Sequence, residues 1–192
     1  MTIDPVLIDV PGRLDGERTV LLAPHAGLGA EMAVVIGQSL SHLRPWMPWA
    51  QEAPTAEAAE LVVRRMQADF IARRDLCFQI YARRADGSPG RLLGGTGLHR
   101  IDWAVRRFEI GYWIRPEAAG QGHVSEAVRL LTALAFGLLA ARRVEIRCDP
   151  RNLKSRAVAE RCGFELEGVL RNNALGVDGA PRDTAVYARI AG

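Results

Sequence analysis

The run Glu109-Ile-Gly-Tyr-Trp-Ile-Arg-Pro-Glu-Ala-Ala-Gly-Gln-Gly-His-Val124 holds the residues best suited to chemistry. It reads as a strand, a glycine-containing loop and the first turn of a long helix. The first N–H groups of a helix have no intrahelical partner, and the helix dipole favours negative charge beside them. Gly120 and Gly122 carry no Cβ, so an anionic group can come close to the backbone. Ala119, Gly120, Gln121, Gly122, His123 and Val124 are therefore a candidate phosphate cradle made of main chain. The two glycines alone also suit an ordinary tight turn between a strand and a helix.

The residues exclude two phosphate loops. A nucleoside-triphosphate loop needs GxxxxGK[ST], and no Lys follows Gly122. A dinucleotide loop needs Gly or Ala three residues after its second glycine and opens a βαβ unit. Here Ser125 holds that position, in mid-chain.

Other groups capable of proton transfer lie outside the cradle. Side chains alternate along a strand, so Glu109 shares a face with Gly111 and Trp113. There it either acts as a general base or pairs with Arg107 or another Arg. His99 is another candidate. Ser155 shares a helix face with Ala159 and Cys162 by four- and three-residue steps. Its hydroxyl either donates a proton or caps the helix. Cys77, Cys148 and Cys162 form no CxxC or Cys/His metal spacing, and their odd count fits reduced thiols. No metal site is expected.

These residues need a scaffold. Thr19 to Ala23 is a strand candidate, and His25 to Leu43 has helical spacing at Met32, Val35, Ile36 and Leu40. Two prolines make Arg44-Pro-Trp-Met-Pro-Trp49 irregular. Thr55 caps a helix reaching about Arg74. The period then changes: Leu76 to Arg83, Arg91 to Ile101 and Arg107 to Arg115 form an antiparallel meander. Val124, Val128, Leu131, Ala135 and Leu138 make one helical stripe. Arg142 to Cys148 is a strand, Lys154 to Cys162 a short helix, and Phe164 to Arg171 and Asp183 to Ile190 are closing strands. A meander followed by βαβα predicts an α/β mixed sheet with helices on its faces.

The chain has 192 residues, which suits a single domain over 1–192. Its net charge is +3 and its basic residues are interspersed with acidic ones, which argues against a nucleic-acid partner. Met1 to Val10 lacks a basic flank and a long apolar run, so neither a leader nor a membrane anchor is expected. The apolar stretch around Leu130 to Ala141 is too short to span a bilayer. A cytoplasmic protein without membrane contact is the expectation.

The loop Glu117-Ala-Ala-Gly120-Gln-Gly122 resembles the acetyl-CoA loop of the GNAT acetyltransferases, [QR]xxGx[GA], with Glu117 replacing Gln or Arg. The element order matches that fold from Thr19 to Ile190. Further likenesses point to the RimJ/RimL branch, and most to RimL-type serine N-acetyltransferases. They are Leu43-Arg-Pro-Trp-Met-Pro-Trp49, Gly94-Gly-Thr-Gly-Leu98, Phe108-Glu-Ile-Gly-Tyr-Trp-Ile114, Ser125-Glu-Ala127, Cys148 with Asn152-Leu-Lys-Ser155, Gly163-Phe-Glu-Leu-Glu-Gly168 and Tyr187-Ala-Arg-Ile190.

The resemblance implies a GNAT fold, with a mostly antiparallel seven-stranded sheet, about four helices, and the fourth and fifth strands splayed. It implies acetyl-CoA as cosubstrate: Tyr112, Trp113 and Ile114 pair with the pantetheine arm, Ala119 to Val124 hold the pyrophosphate, and Asn152 contacts the pantetheine. Cys148 falls near the CoA sulfur, or is simply a small buried residue. Ser155 becomes the candidate proton donor to the departing thiolate, because Ala159 stands where many members have Tyr. Ala174 stands where RimL-type enzymes have a carboxylate, which leaves Glu109 as the main candidate base. Trp46 and Trp49 fall in the segment that flanks the acceptor cleft, where they either grip a peptide or pack under the loop. The implied acceptor is the N-terminal amine of a protein, ribosomal by analogy, and homodimers are common among relatives. A small-molecule amine or peptide antibiotic, and a CoA-binding regulator without turnover, are the alternatives. Deprotonating a lysine amine at pH 7 costs roughly 4–5 kcal/mol and an α-amine only about 1, so a site with a weak base suits an N-terminus better.

Overall fold

The computed structural model describes residues 4–192; Met1, Thr2 and Ile3, part of the N-terminal stretch weighed above, lie outside the described residues. The strands are β1 (Arg13–Asp15), β2 (Thr19–Leu22), β3 (Leu76–Arg83), β4 (Pro89–Asp102), β5 (Arg107–Ile114), β6 (Arg143–Cys148), β7 (Glu165–Leu175) and β8 (Pro181–Ile190). The helices are α1 (Gly29–Leu43), α2 (Ala56–Ile71), α3 (His123–Gly137) and α4 (Leu153–Arg161). Short 3₁₀ turns cover Pro5–Leu7 and Pro116–Ala118.

One mixed sheet runs in the order β1-β2-β3-β4-β5-β6-β8-β7. Every neighbouring pair is antiparallel except β5–β6. Among the described residues the expected mixed sheet and four helices are present, but the sheet has eight strands, not seven. The added strand is three residues long and pairs Arg13 with Leu22 at the sheet edge. Three residues are too few to show a period of two. The last hairpin is also longer than the spacing predicts: β7 continues to Leu175 through a register shift between Leu170 and Ala174. Asn172 sits there at φ +50°, and Asp183 accepts its N–H.

Local chemistry accounts for the helix boundaries. Thr55 caps α2 through its hydroxyl, which accepts the N–H of Ala58 at 3.1 Å. α1 begins at Gly29, not His25, because Gly27 turns at φ +97° and Glu60 accepts the N–H groups of Gly27 and Gly29. The proline segment after α1 is irregular, as expected.

The sheet is covered on both faces. α3 packs Ala127, Val128, Leu131 and Ala135 against Phe108, Ile110, Val144 and Ile146. On the other face α1 and α2 pack Met32, Val35, Ile36 and Val63 against Val20, Tyr81 and Leu92. No helix among the described residues is long and apolar enough to cross a membrane. Leu131 is wholly buried at the centre of the α3 face. Leu131→Ala is expected to lower stability by roughly 2–5 kcal/mol, measured by urea unfolding.

Candidate active site

β5 and β6 run together only briefly. Arg107, Phe108 and Glu109 pair with Arg143, Val144 and Glu145, and the pairing stops there. β5 continues to Ile114 alongside β4, and β6 continues to Cys148 alongside β8. The two strands splay, and from Ile110 to Ile114 the β6 side of β5 has no strand partner. Unpaired strand edges offer main-chain donors and acceptors to an extended ligand. A cleft of about 1940 Å³ runs along this opening.

Arg18, Gly120, Gly122 and His123 line one end of the cleft. Gly120 and Gly122 lie at φ +77° and +86°, conformations that a residue with Cβ adopts only under strain. Gly122 is the N-cap of α3 and no side chain caps it, so the first-turn N–H groups stay available. Arg18 adds a cation that the sequence analysis missed: its Nη1 donates to the Gln121 carbonyl at 3.3 Å. Glu126 in α3 accepts the N–H groups of Glu17 at 2.8 Å and Arg18 at 3.2 Å, which fixes the β1–β2 turn over the loop. No local pattern links residues so far apart in the chain. The His123 imidazole contacts the Thr19 hydroxyl at 3.1 Å. Burial lowers its pKa, and Arg18 and Arg91 add to this against Glu126.

The middle of the cleft gathers Tyr112, Cys148, Asn152 and Ser155. Asn152 caps α4, its side-chain oxygen accepting the Ser155 N–H at 3.1 Å. The cap is therefore Asn152, which leaves the Ser155 hydroxyl for a partner across the cleft. It lies 2.9 Å from the Tyr112 hydroxyl, which also donates to the Ser155 carbonyl at 3.0 Å. Burial pushes the Tyr112 hydroxyl above its usual range. It also raises the Cys148 thiol, while the neighbouring Ser155 opposes the rise. Ser155 thus ties α4 to Tyr112 on β5, and Cys148 at the end of β6 lines the same part of the cleft.

His42, Trp46, Trp49, His99, Glu109 and Ala174 line the far end. Trp49 is half exposed and meets Trp113 edge-on, with ring centroids 5.9 Å apart. Ile114 is buried, so its contribution to the cleft is main chain. Glu109 lies at the last paired position, 3.2 Å from Arg100 Nη1. Burial raises its pKa, while Arg100, Arg147 and His99 pull it down. His99 pairs across the strands with Glu109 and bonds Asp75, a residue not singled out from the sequence. Ala174 lines the wall and supplies no carboxylate.

Known proteins share this fold. The sequence model described as Acetyltransferase (GNAT) domain matches residues 28–165, which span β5, the loop, α3 and α4. YdaF of Bacillus subtilis (strain 168), whose name gives it a provisional ribosomal N-acetyltransferase assignment, is 36% identical over 162 residues, 82% of each chain. The ribosomal-protein-serine acetyltransferase of Escherichia coli (strain K12) is 37% identical over 99 residues, 52% of this chain and 55% of its own. The microcin C7 self-immunity acetyltransferase MccE, solved with acetyl-CoA and AMP, superposes with a TM-score of 0.84 at 24% identity over 96% of this chain and 99% of its own, a likeness of fold. A splayed strand pair, an uncapped glycine loop opening the central helix, and a family match running through both lead to one conclusion: the chain belongs to the GNAT acetyltransferase family.

Proposed function

We propose that this protein transfers the acetyl group of acetyl-CoA to the N-terminal α-amine of a protein or peptide. The observation that carries the reading is the unpaired edge of β5 from Ile110 to Ile114, which leads from the cradle at Gly120–Val124 to the hydroxyl of Ser155. An extended thiol-bearing arm fits such an edge, with main chain at Tyr112, Trp113 and Ile114 as its partners. The pyrophosphate is assigned to the N–H groups of Ala119 to Val124, with Arg18 as an added cation. The complex of MccE with acetyl-CoA supports this placement by fold.

Ser155 is assigned to protonate the departing thiolate, with Tyr112 orienting its hydroxyl and Asn152 holding the turn that presents it. Glu109 and His99 are the groups on the acceptor side that can take a proton. Trp46, Trp49 and Trp113 supply an aromatic wall for the acceptor. The surrounding charge favours a peptide over a polyamine. The carboxylates of Glu109 and Asp149 are already held by Arg100 and Arg151, and Arg147 and Arg182 also line the cleft. The name of the Escherichia coli relative supports a ribosomal protein as the acceptor.

The direct test is thiol release from acetyl-CoA with peptides beginning in Ser or Ala, peptides presenting only Lys, and polyamines. N-terminal peptides are expected to turn over fastest, and thiol release with none of them would refute the proposal. Arg18→Ala is expected to weaken acetyl-CoA binding about 10- to 100-fold by calorimetry, the loss of one charge-assisted contact, with thermal stability little changed. Ser155→Ala is expected to lower kcat about 100-fold in the same assay while leaving acetyl-CoA affinity near that of the parent.

A further inference from the structure

Three glycines clear a strip on the face of the sheet toward α1 and α2. Gly95 pairs with Trp113, Gly97 with Gly111, and His99 with Glu109, so these residues share one face of β4 and β5. The Trp113 indole folds over Gly95. The His99 imidazole lies across the other two: a Cβ at Gly97 would stand 2.9 Å from His99 Cε1, and one at Gly111 would stand 3.0 Å from Nε2. Any side chain at either position would displace the ring. Gly111 belongs to the stretch of β5 that has left β6, so Nε2 stands over the splayed strand and within the cleft lining.

The other nitrogen is fixed. His99 Nδ1 lies 2.8 and 3.0 Å from the two carboxylate oxygens of Asp75. A carboxylate only accepts, so Nδ1 carries the hydrogen and neutral His99 presents a lone pair at Nε2. Among the described residues nothing bonds Nε2. The Cys77 thiol, whose pKa burial raises, donates to the same Asp75 at 3.0 Å and helps hold it. Glu109, by contrast, is tied to Arg100 where the strands still pair.

Resting on the transferase reading above, we propose that His99 is the general base for the acceptor amine and that Asp75 is its positioning residue. The acceptor ammonium gives one proton to Nε2. The freed nitrogen lone pair forms the C–N bond at the thioester carbonyl carbon, and the C–S bond breaks with its electron pair going to sulfur. The second nitrogen proton reaches the thiolate through Ser155, and the imidazolium returns its proton to solvent. Ammonium and thioester thus become amide, thiol and one released proton.

The test uses the full chain, acetyl-CoA and the best Ser- or Ala-initiated peptide. His99→Ala is expected to lower kcat about 100-fold or more while acetyl-CoA affinity is retained, and added imidazole is expected to restore part of the rate. Asp75→Asn removes a negative charge beside the ring. The imidazolium is then less stable, and the acid limb of kcat is expected to move to lower pH. The other titratable groups around the His99–Asp75 pair are the neutral Cys77 thiol on β3, Asp69 at the end of α2, Arg100 on β4, Glu109 on β5 and Arg147 on β6. A His99→Ala protein with parental kcat and an unmoved acid limb would overturn the assignment while leaving the transferase reading intact. Absence of turnover by the parent would remove both. Asp75, Cys77 and His99 place one ligand atom each within 4.8 Å of one another, so a metal is the rival explanation. Turnover is expected to survive EDTA, and loss to EDTA with recovery on adding Zn²⁺ would also overturn the proposal.

Discussion

Everything distinctive about this site depends on the parting of β5 and β6 after Glu109. Up to that point the two strands are bound by the wholly buried pair Phe108 and Val144, packed under α3. Beyond it each strand follows another neighbour, β5 with β4 and β6 with β8. A parallel pair cannot be joined by a tight hairpin, so the connection from β5 to β6 must cross the face of the sheet, here through α3. The turn into α3 therefore falls beside the open ends of both strands. The unpaired strand edge and the exposed helix N–H groups are two consequences of the same crossover.

The opening is braced from both sides by contacts distant in sequence. Glu126 draws the β1–β2 turn onto the start of α3, which brings Arg18 over Gln121. Asn152 winds the first turn of α4 so that Ser155 meets Tyr112. Neither brace lies in the hydrophobic core. Such polar braces fix an aperture without filling it, and a site that must receive a long ligand needs that property.

The two faces of β5 carry different work. Tyr112 points toward α4 and its hydroxyl joins Ser155 on the side assigned to the thiol. Glu109, Gly111 and Trp113 point toward α1 and α2, where glycines give way to aromatic and imidazole rings. Alternation along one strand thus separates the side assigned to the leaving group from the side assigned to the acceptor by a single residue.

The sequence alone determined the mixed sheet, the order of its long elements, the Thr55 cap, and the glycine loop ahead of α3, because these follow from local periods and local hydrogen bonds. It also picked out Ser155 and Glu109 as residues able to move protons. It could not divide the labour between Asn152 and Ser155: both suit a helix cap, and only the backbone geometry makes Asn152 the acceptor. The edge strand Arg13–Asp15 left no trace, since three residues cannot show alternation. Tertiary structure alone brought Arg18 to the loop and Asp75 to His99. Those contacts join residues 103 and 24 positions apart, and their partners are chosen by strand order and register, which no local spacing encodes.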